Sequence, residues 1–187
     1  GFKKTGNLDI PGIVKWDGNQ WVPLGDGIFF GSVQCIEIYN NMIYAGGWFI
    51  FDNFQGLCRF NSTNWEVIPN QTGSNFGFPN SFKKYNSLLV IGGEGFYVNG
   101  NVYGRVVAFN GNSFVNFGSL PDNVRSLEVY NGEIYAGGAW FSLKKKVGNL
   151  WEDIGGHCNY YIQDMEVDTF NNFLFVGGGF NIVDDSI

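Results

Sequence analysis

The sequence has little of what helices and acid–base or metal centres are built from. Charged residues make up only 15 % of the chain, and no long stretch is rich in Ala, Leu, Glu and Lys, which argues against a helical protein. There is one histidine, His157, so no multi-histidine metal site or paired-histidine mechanism forms within this chain. Its neighbour Cys158 is no catalytic partner, because a Cys/His pair normally converges from separate elements. Lys and Arg number 11 against 17 Asp and Glu, a net charge of −6. That balance excludes nucleic acid as the expected partner, since phosphate binding needs clustered cations. The one basic cluster, Lys144-Lys145-Lys146, reads as a solvated loop or strand edge. No apolar run approaches the ~18 residues that cross a bilayer. The opening GFKKTGNLDIPG lacks the apolar centre of a signal peptide.

What the chain does have is glycine, 28 residues of it, and 18 % aromatics, with only 5 prolines. Short strands joined by Gly and Asn turns fit this composition, and the class expected is all-β.

A repeat sets the organisation. IEIYNNMIYAGG (36–47), FKKYNSLLVIGG (82–93), LEVYNGEIYAGG (127–138) and VDTFNNFLFVGG (167–178) align without a gap. Their glycine pairs, Gly46-Gly47, Gly92-Gly93, Gly137-Gly138 and Gly177-Gly178, recur at intervals of 46, 45 and 40 residues. An aromatic followed by Asn and a small residue tolerates the positive φ of a hairpin turn, so each copy predicts strands 1 and 2 of a unit. A second hairpin, strands 3 and 4, is predicted at KWDGNQWVPLG (15–25), RFNSTNWEVIP (59–69) and AFNGNSFVNFG (108–118). KKKVGNLWEDIG (144–155) is an eroded version that keeps Trp151 but lacks the first aromatic and several loop residues. Four antiparallel strands in about 45 residues is the content of a β-propeller blade. The predicted units span residues 1–33, 34–80, 81–124, 125–161 and 162–187 of a single domain.

These phrases resemble Kelch-type β-propeller repeats. They are most similar to those of large secreted or surface proteins that repeat a YNG…GG…WDG…W…LG pattern. The matching residues are Tyr130-Asn131-Gly132, Gly137-Gly138, Trp16-Asp17-Gly18 and Trp21. The aromatic-to-Trp spacing is shorter than in standard Kelch repeats, and no residue set resembles the copper site of galactose oxidase, a propeller relative. The resemblance implies an extracellular or cell-surface location, and says little about activity, since propellers serve as binding modules, scaffolds and enzymes. Gly1-Phe2 matches Gly179-Phe180, so the chain opens and closes at one point of the repeat. A closed four-bladed ring and a window from a longer array both fit. The window is preferred because four-bladed rings are strained and uncommon.

Function is expected at the connections between strands 2 and 3 and between units, which are long, variable and aromatic. They include Phe29 and Phe30, Phe51 to Phe54, Gln71 to Pro79, Tyr97 to Tyr103, and Gly156 to Tyr161. Trp48, Phe54, Tyr97, Tyr103, Trp140, Tyr160 and Tyr161 are the candidate binding residues, able to stack on sugars or anchor a protein. The expected function is a non-enzymatic recognition module for protein or glycan, with no cofactor and no metal.

Two alternatives stand beside it. Glu37, Glu128 and Asp168 align on strand 1, with Lys83 in the remaining copy. A ring of channel acids is compatible with a propeller glycoside hydrolase or lyase. An architectural repeat that self-associates in a filament or virion-like assembly is the other. Asp184-Asp185 lacks calcium-loop spacing.

Cys35 and Cys58 fall on strands 1 and 3 of one unit, roughly 9–10 Å apart at ~4.8 Å per strand. That separation is too wide for a disulfide. With Cys158 in another unit, all three are expected as free thiols, against an oxidising compartment. Asn61-Ser62-Thr63 and Asn70-Gln71-Thr72 match the glycosylation pattern.

Overall fold

A computed structural model describes residues 12–28, 30–68, 76–154 and 156–184. Gly1-Phe2, Phe29, Asn70-Gln71-Thr72, Asp185 and the side chain of His157 lie outside the described residues. Among the described residues all regular structure is β, and no helix is long and apolar enough to cross a membrane.

The hairpin β1 (Val14–Trp16) and β2 (Trp21–Pro23) comes first. Three four-stranded antiparallel meanders follow in chain order. The first contains β3 (Phe30–Tyr39), β4 (Met42–Phe51), β5 (Phe54–Phe60) and β6 (Trp65–Glu66). The second contains β7 (Pro79–Tyr85), β8 (Leu88–Val98), β9 (Asn101–Phe109) and β10 (Phe114–Asn116). The third contains β11 (Val124–Tyr130), β12 (Glu133–Gly138), β13 (Lys144–Val147) and β14 (Leu150–Asp153). The short β15 (His157–Cys158) pairs with β18 (Val183–Asp184), and β16 (Ile162–Asp168) pairs with β17 (Phe173–Gly178).

The first strands β3, β7, β11 and β16 stand side by side, each in contact with the next. They are joined by side chains: Leu127 N–H donates to Ser81 Oγ at 3.0 Å, and Asn80 Nδ2 to the Val124 carbonyl at 3.1 Å. The core is divided among the spaces between successive sheets. Tyr44, Leu57, Phe82 and Phe109 fill one such space, and Val90, Leu127, Ile134 and Trp151 the next.

Two repeated features staple one sheet to its neighbour, and a third fixes a turn. Tyr39 Oη donates to the Ser87 carbonyl at 2.7 Å and Tyr130 Oη to the Asn172 carbonyl at 3.0 Å, in each case at the turn of the following hairpin. Trp65 Nε1 donates to the Leu24 carbonyl at 2.8 Å, and Trp151 Nε1 to the Phe117 carbonyl at 3.1 Å. The glycine after each acceptor gives the indole room, since a Cβ on Gly118 would lie 3.0 Å from Trp151 Cδ1. The Asp or Asn of the second hairpin caps its own turn. Asp17, Asn61 and Asn110 each accept two backbone N–H bonds through Oδ1, at 2.8–3.1 Å.

The glycine pair is explained by two different neighbours. A Cβ on the first glycine would collide with the following sheet: Gly46 with Phe82 at 2.4 Å, Gly92 with Val124 at 2.4 Å, and Gly137 with Ile162 at 2.3 Å. A Cβ on the second would strike a carbonyl beside its own strand 1, Ser32 O from Gly47 at 2.3 Å and Asn123 O from Gly138 at 2.1 Å.

Three expectations are corrected. Phe51 to Phe54 and Tyr97 to Tyr103 are hairpin arms: β4 and β5 pair as far as Phe51 with Phe54, and β8 and β9 as far as Val98 with Asn101. Their turns, Asp52-Asn53 and Asn99-Gly100, hold positive φ at both residues, as a tight hairpin requires.

The hairpin at 144–155 has lost no residues between its key positions. Lys146 pairs with Trp151 as Phe60 does with Trp65 and Phe109 with Phe114, so a lysine simply occupies the aromatic's place. Lys146 is buried, with Nζ 5.1 Å above the Phe117 ring and bonded to the Gly148 carbonyl. Lys144 pairs with Asp153 at 2.7 Å, so the basic run is a strand with partners on both sides and not a free loop.

The gap-free alignment fails on the first strand of the last copy. Tyr130 with Glu133 and Asp168 with Phe173 are the last pairs before their turns, so the last turn is two residues longer and Asp168 matches Tyr130.

All three cysteines are free. Burial pushes the thiol pKa of Cys58 upward.

Candidate functional site

Each first strand carries a β-bulge facing the glycine pair. Val33 and Cys35 pair with Gly47 and Gly46, Pro79 and Ser81 with Gly93 and Gly92, Val124 and Ser126 with Gly138 and Gly137, and Ile162 and Asp164 with Gly178 and Gly177. The residue skipped in each ladder is Gln34, Asn80, Arg125 or Gln163. A bulge bends its strand and re-aims a side chain. Because the four strands stand side by side, the four bulge residues line one open cavity of about 420 Å³. Asp164, Glu94 and Asn123 complete its wall. The cup lies at the bulges, at the same end of the sheets as the connections that follow the glycine pairs.

The wall is mostly planar and polar. Arg125 Nη1 bonds Gln163 Oε1, and its guanidinium lies 4.6 Å from the centroid of the Tyr161 ring. Ser126 Oγ donates to Asp164 Oδ1 at 3.3 Å, and the same carboxylate oxygen accepts from Met165 N–H at 2.9 Å. Arg105 Nη1 is bonded to the Glu94 carbonyl, leaving the Glu94 carboxylate outside that bond. Asn123 Oδ1 is buried with no hydrogen-bond partner, the one such side-chain atom among the described residues. One cation and two carboxylates leave the cup close to neutral, which suits a ligand offering both donors and acceptors.

An aromatic chain runs away from Arg125. Tyr161 and Tyr160 have ring centroids 5.2 Å apart, and Tyr160 and Trp140 5.4 Å. Trp140 is 72 % exposed, with a φ of +70° that a non-glycine residue rarely holds. Such conformations cluster at functional sites, which keeps Trp140 among the candidate residues. The two connections beside it are zipped together: Asn159 Nδ2 donates to Asn181 Oδ1 at 2.8 Å, and Ile182 N–H to Asn159 Oδ1 at 3.1 Å.

Of the candidate aromatics, the structure brings Trp140, Tyr160 and Tyr161 together. Trp48 instead stacks on Phe78, the residue before β7 of the following sheet, at 4.7 Å, beside the exposed Phe30. Phe54, Tyr97 and Tyr103 lie on the two hairpin arms, with Tyr103 packed against the core. The seven do not form one patch.

The acids do not form a ring. Glu128 is buried and ion-paired with Lys83, and Glu37 pairs with Lys84 at 3.5 Å. Asp168 caps its turn by accepting from Asn171 Nδ2 at 2.7 Å and Phe170 N–H at 2.8 Å, contacts that hold its carboxyl below the usual carboxylate range. The residue in register with Glu37 and Glu128 is Glu166, which faces Phe175 as Glu128 faces Tyr135. Among the described residues no group of three or more His, Cys, Asp or Glu is placed to hold a metal ion. Asn61, the described glycosylation candidate, uses Nδ2 to bond Glu66 Oε2 at 2.9 Å.

Sequence reasoning missed the bulge residues. Their only signal is a polar residue 12 positions before the glycine pair in the first three units, meaningless until the ladder register is known. In comparisons with known proteins, no family model matches this chain, and no curated protein matches it.

Proposed function

We propose that the four-stranded sheets are blades of a β-propeller, and that the chain is a non-enzymatic recognition module of a surface or structural protein. Its ligand is a glycan, bound in the bulge-lined cup with Trp140 and Tyr160 at the margin. One observation carries this reading: the same bulge occurs in all four first strands, and its four polar residues line a single cavity. Amide side chains both donate and accept, and so match sugar hydroxyls, while exposed aromatic rings cover the apolar face of a sugar. The net charge of −6 weighs against an anionic ligand.

The repeat supports the propeller reading through its radial order, with first strands in mutual contact and fourth strands at the far edges. The acids of the hydrolase reading are engaged by lysines or a turn, which favours binding over acid–base chemistry. A neutral-glycan array probed with the wild-type protein and with Arg125→Ala and Trp140→Ala tests the proposal. Binding that falls at least tenfold in both variants, about 1.4 kcal/mol, supports it. Wild-type protein that binds no neutral glycan, or binding unchanged in both variants, refutes it.

A further inference from the structure

The cup does not present donors and acceptors evenly. Asn80 spends a side-chain N–H on the Val124 carbonyl at 3.1 Å, which leaves its oxygen outside that bond. Glu94 is held by its backbone: its N–H donates to the Phe78 carbonyl at 3.2 Å, and its own carbonyl accepts from Arg105. Its carboxylate takes part in neither bond, and the residue lines the cavity. Asn123 is fixed in the same way, with its N–H on Asp122 Oδ1 at 2.6 Å and its carbonyl accepting from Ala139 N–H at 2.9 Å. Asn123 Oδ1 stays buried without a partner, and a turn of the carboxamide toward the cavity it lines brings that oxygen to a donor there. Donors gather toward β16, where Arg125 engages Gln163 Oε1 and leaves Gln163 Nε2 outside that bond.

The fold asks for neither Glu94 nor Asn123. Glu94 directly follows its glycine pair, and the other units carry Trp48, Ala139 and Gly179 there. Asn123 stands across the ladder from the residue after the next pair, where the other units carry Ser32, Phe78 and Tyr161. Side chains from a bare hydrogen to an indole serve at these two places. A carboxylate and an orphaned amide oxygen there answer to something other than packing. An unpaired buried acceptor costs stability, and a bound donor relieves that cost.

We infer that this acceptor side takes a protonated amino group, so that the glycan is an amino sugar with a free amine. The inference rests on the glycan reading of the cup and names the sugar class. A hydroxyl brings one donor together with acceptor lone pairs, whereas an ammonium brings three donors and no acceptor. Asn80, Glu94 and Asn123 supply three acceptors, and the carboxylate makes one of the three bonds charge-assisted and stronger. Two carboxylates, Glu94 and Asp164, stand against Arg125 in the wall, and the whole chain carries −6, so the field favours a cation. Arg105 is bonded to the Glu94 carbonyl and lies outside the wall. Acetylation of the amine removes its charge and two of its three donors. The remaining hydroxyls then face Arg125 and Gln163.

The test is an array of matched oligosaccharides built from glucose or galactose, from the corresponding 2-amino sugars, and from their N-acetyl forms. Titration calorimetry follows for the sets that bind, below the pKa of the sugar amine. The proteins are the wild type, Glu94→Gln and Asn123→Ser, the last carrying the residue that the first unit has in that place. The amino sugars should bind about tenfold more tightly than either matched partner. Glu94→Gln keeps the shape and removes the charge, and should abolish this preference while neutral binding stays within about twofold. Asn123→Ser should weaken amino-sugar binding more than neutral binding. Equal affinity of the wild type for matched sugars overturns the inference and leaves the glycan reading standing, as does a preference that both variants retain. A wild type that binds none of the sugars overturns both.

Discussion

Gly137 and Ile162 are held so closely across the space between two sheets that a methyl group on the glycine would lie 2.3 Å from Ile162 Cγ2. The chain meets this constraint once per unit, at Gly46, Gly92 and Gly137, and is released from it at Gly177.

Gly137→Ala and Gly177→Ala therefore separate sharply despite their identical place in the repeat. Gly137→Ala should lower unfolding free energy by about 2–3 kcal/mol, the range of an overpacked core. Gly177→Ala should stay within about 0.5 kcal/mol, as for a surface change. Urea denaturation measures both.

The indole staples are the second case. Trp151→Phe keeps the ring contact with Phe117, whose centroid is 6.1 Å away, but leaves the Phe117 carbonyl without its donor. The expected loss is about 1–2 kcal/mol, read as a lower urea midpoint with unchanged slope.

Lys146 occupies a position that is aromatic in the other units, and burial lowers its pKa from the ordinary lysine value of 10.5. The unfolded chain then holds the proton more tightly than the folded one. Stability should rise with pH between the lowered value and 10.5 as the folded lysine gives up its charge. Lys146→Phe should remove this contribution to the pH dependence and gain about 1 kcal/mol from an aromatic pair with Trp151. Thermal unfolding from pH 7 to roughly pH 10 follows both effects.

Trp140 sets stability against recognition. Its φ of +70° costs nothing to glycine, so Trp140→Gly should stabilise the fold by about 1 kcal/mol while glycan binding falls. A variant that is both less stable and unchanged in binding contradicts the role assigned to this residue. Differential scanning fluorimetry paired with glycan titration gives both readouts.

The parts of this fold legible in the sequence are those fixed by local chemistry. Asn-Gly and Asn-Asn turns, glycine pairs and Trp positions each answer a steric demand that names its residue type, and the hairpins at 36–47, 82–93 and 127–138 follow from them. The hairpin arms were also within reach, since Asn99-Gly100 sits inside FYVNGNVY as a tight turn between apolar strands. The shifted strand was not. Phe170-Asn171 imitates the Tyr-Asn of the other turns, but Phe170 is 94 % exposed inside a longer turn, and alignment anchored on β17 hides the two extra residues. The cup was least visible, because a bulge is a property of pairing, and Gln34, Asn80, Arg125 and Gln163 share polarity but not one residue type.

The bulge placed opposite the glycine pair divides the work between the two strands of every first hairpin. Close packing falls on residues with no side chain, so the position across from them need not fill the space between sheets. Gln, Asn, Arg and Gln fill that position in the four units with the same backbone register around each. The wall is therefore modular in its backbone: each sheet offers one such site, although Asn80 also bonds the Val124 carbonyl of the next first strand and Arg125 bonds Gln163. New specificity is reachable from this scaffold by point substitution alone.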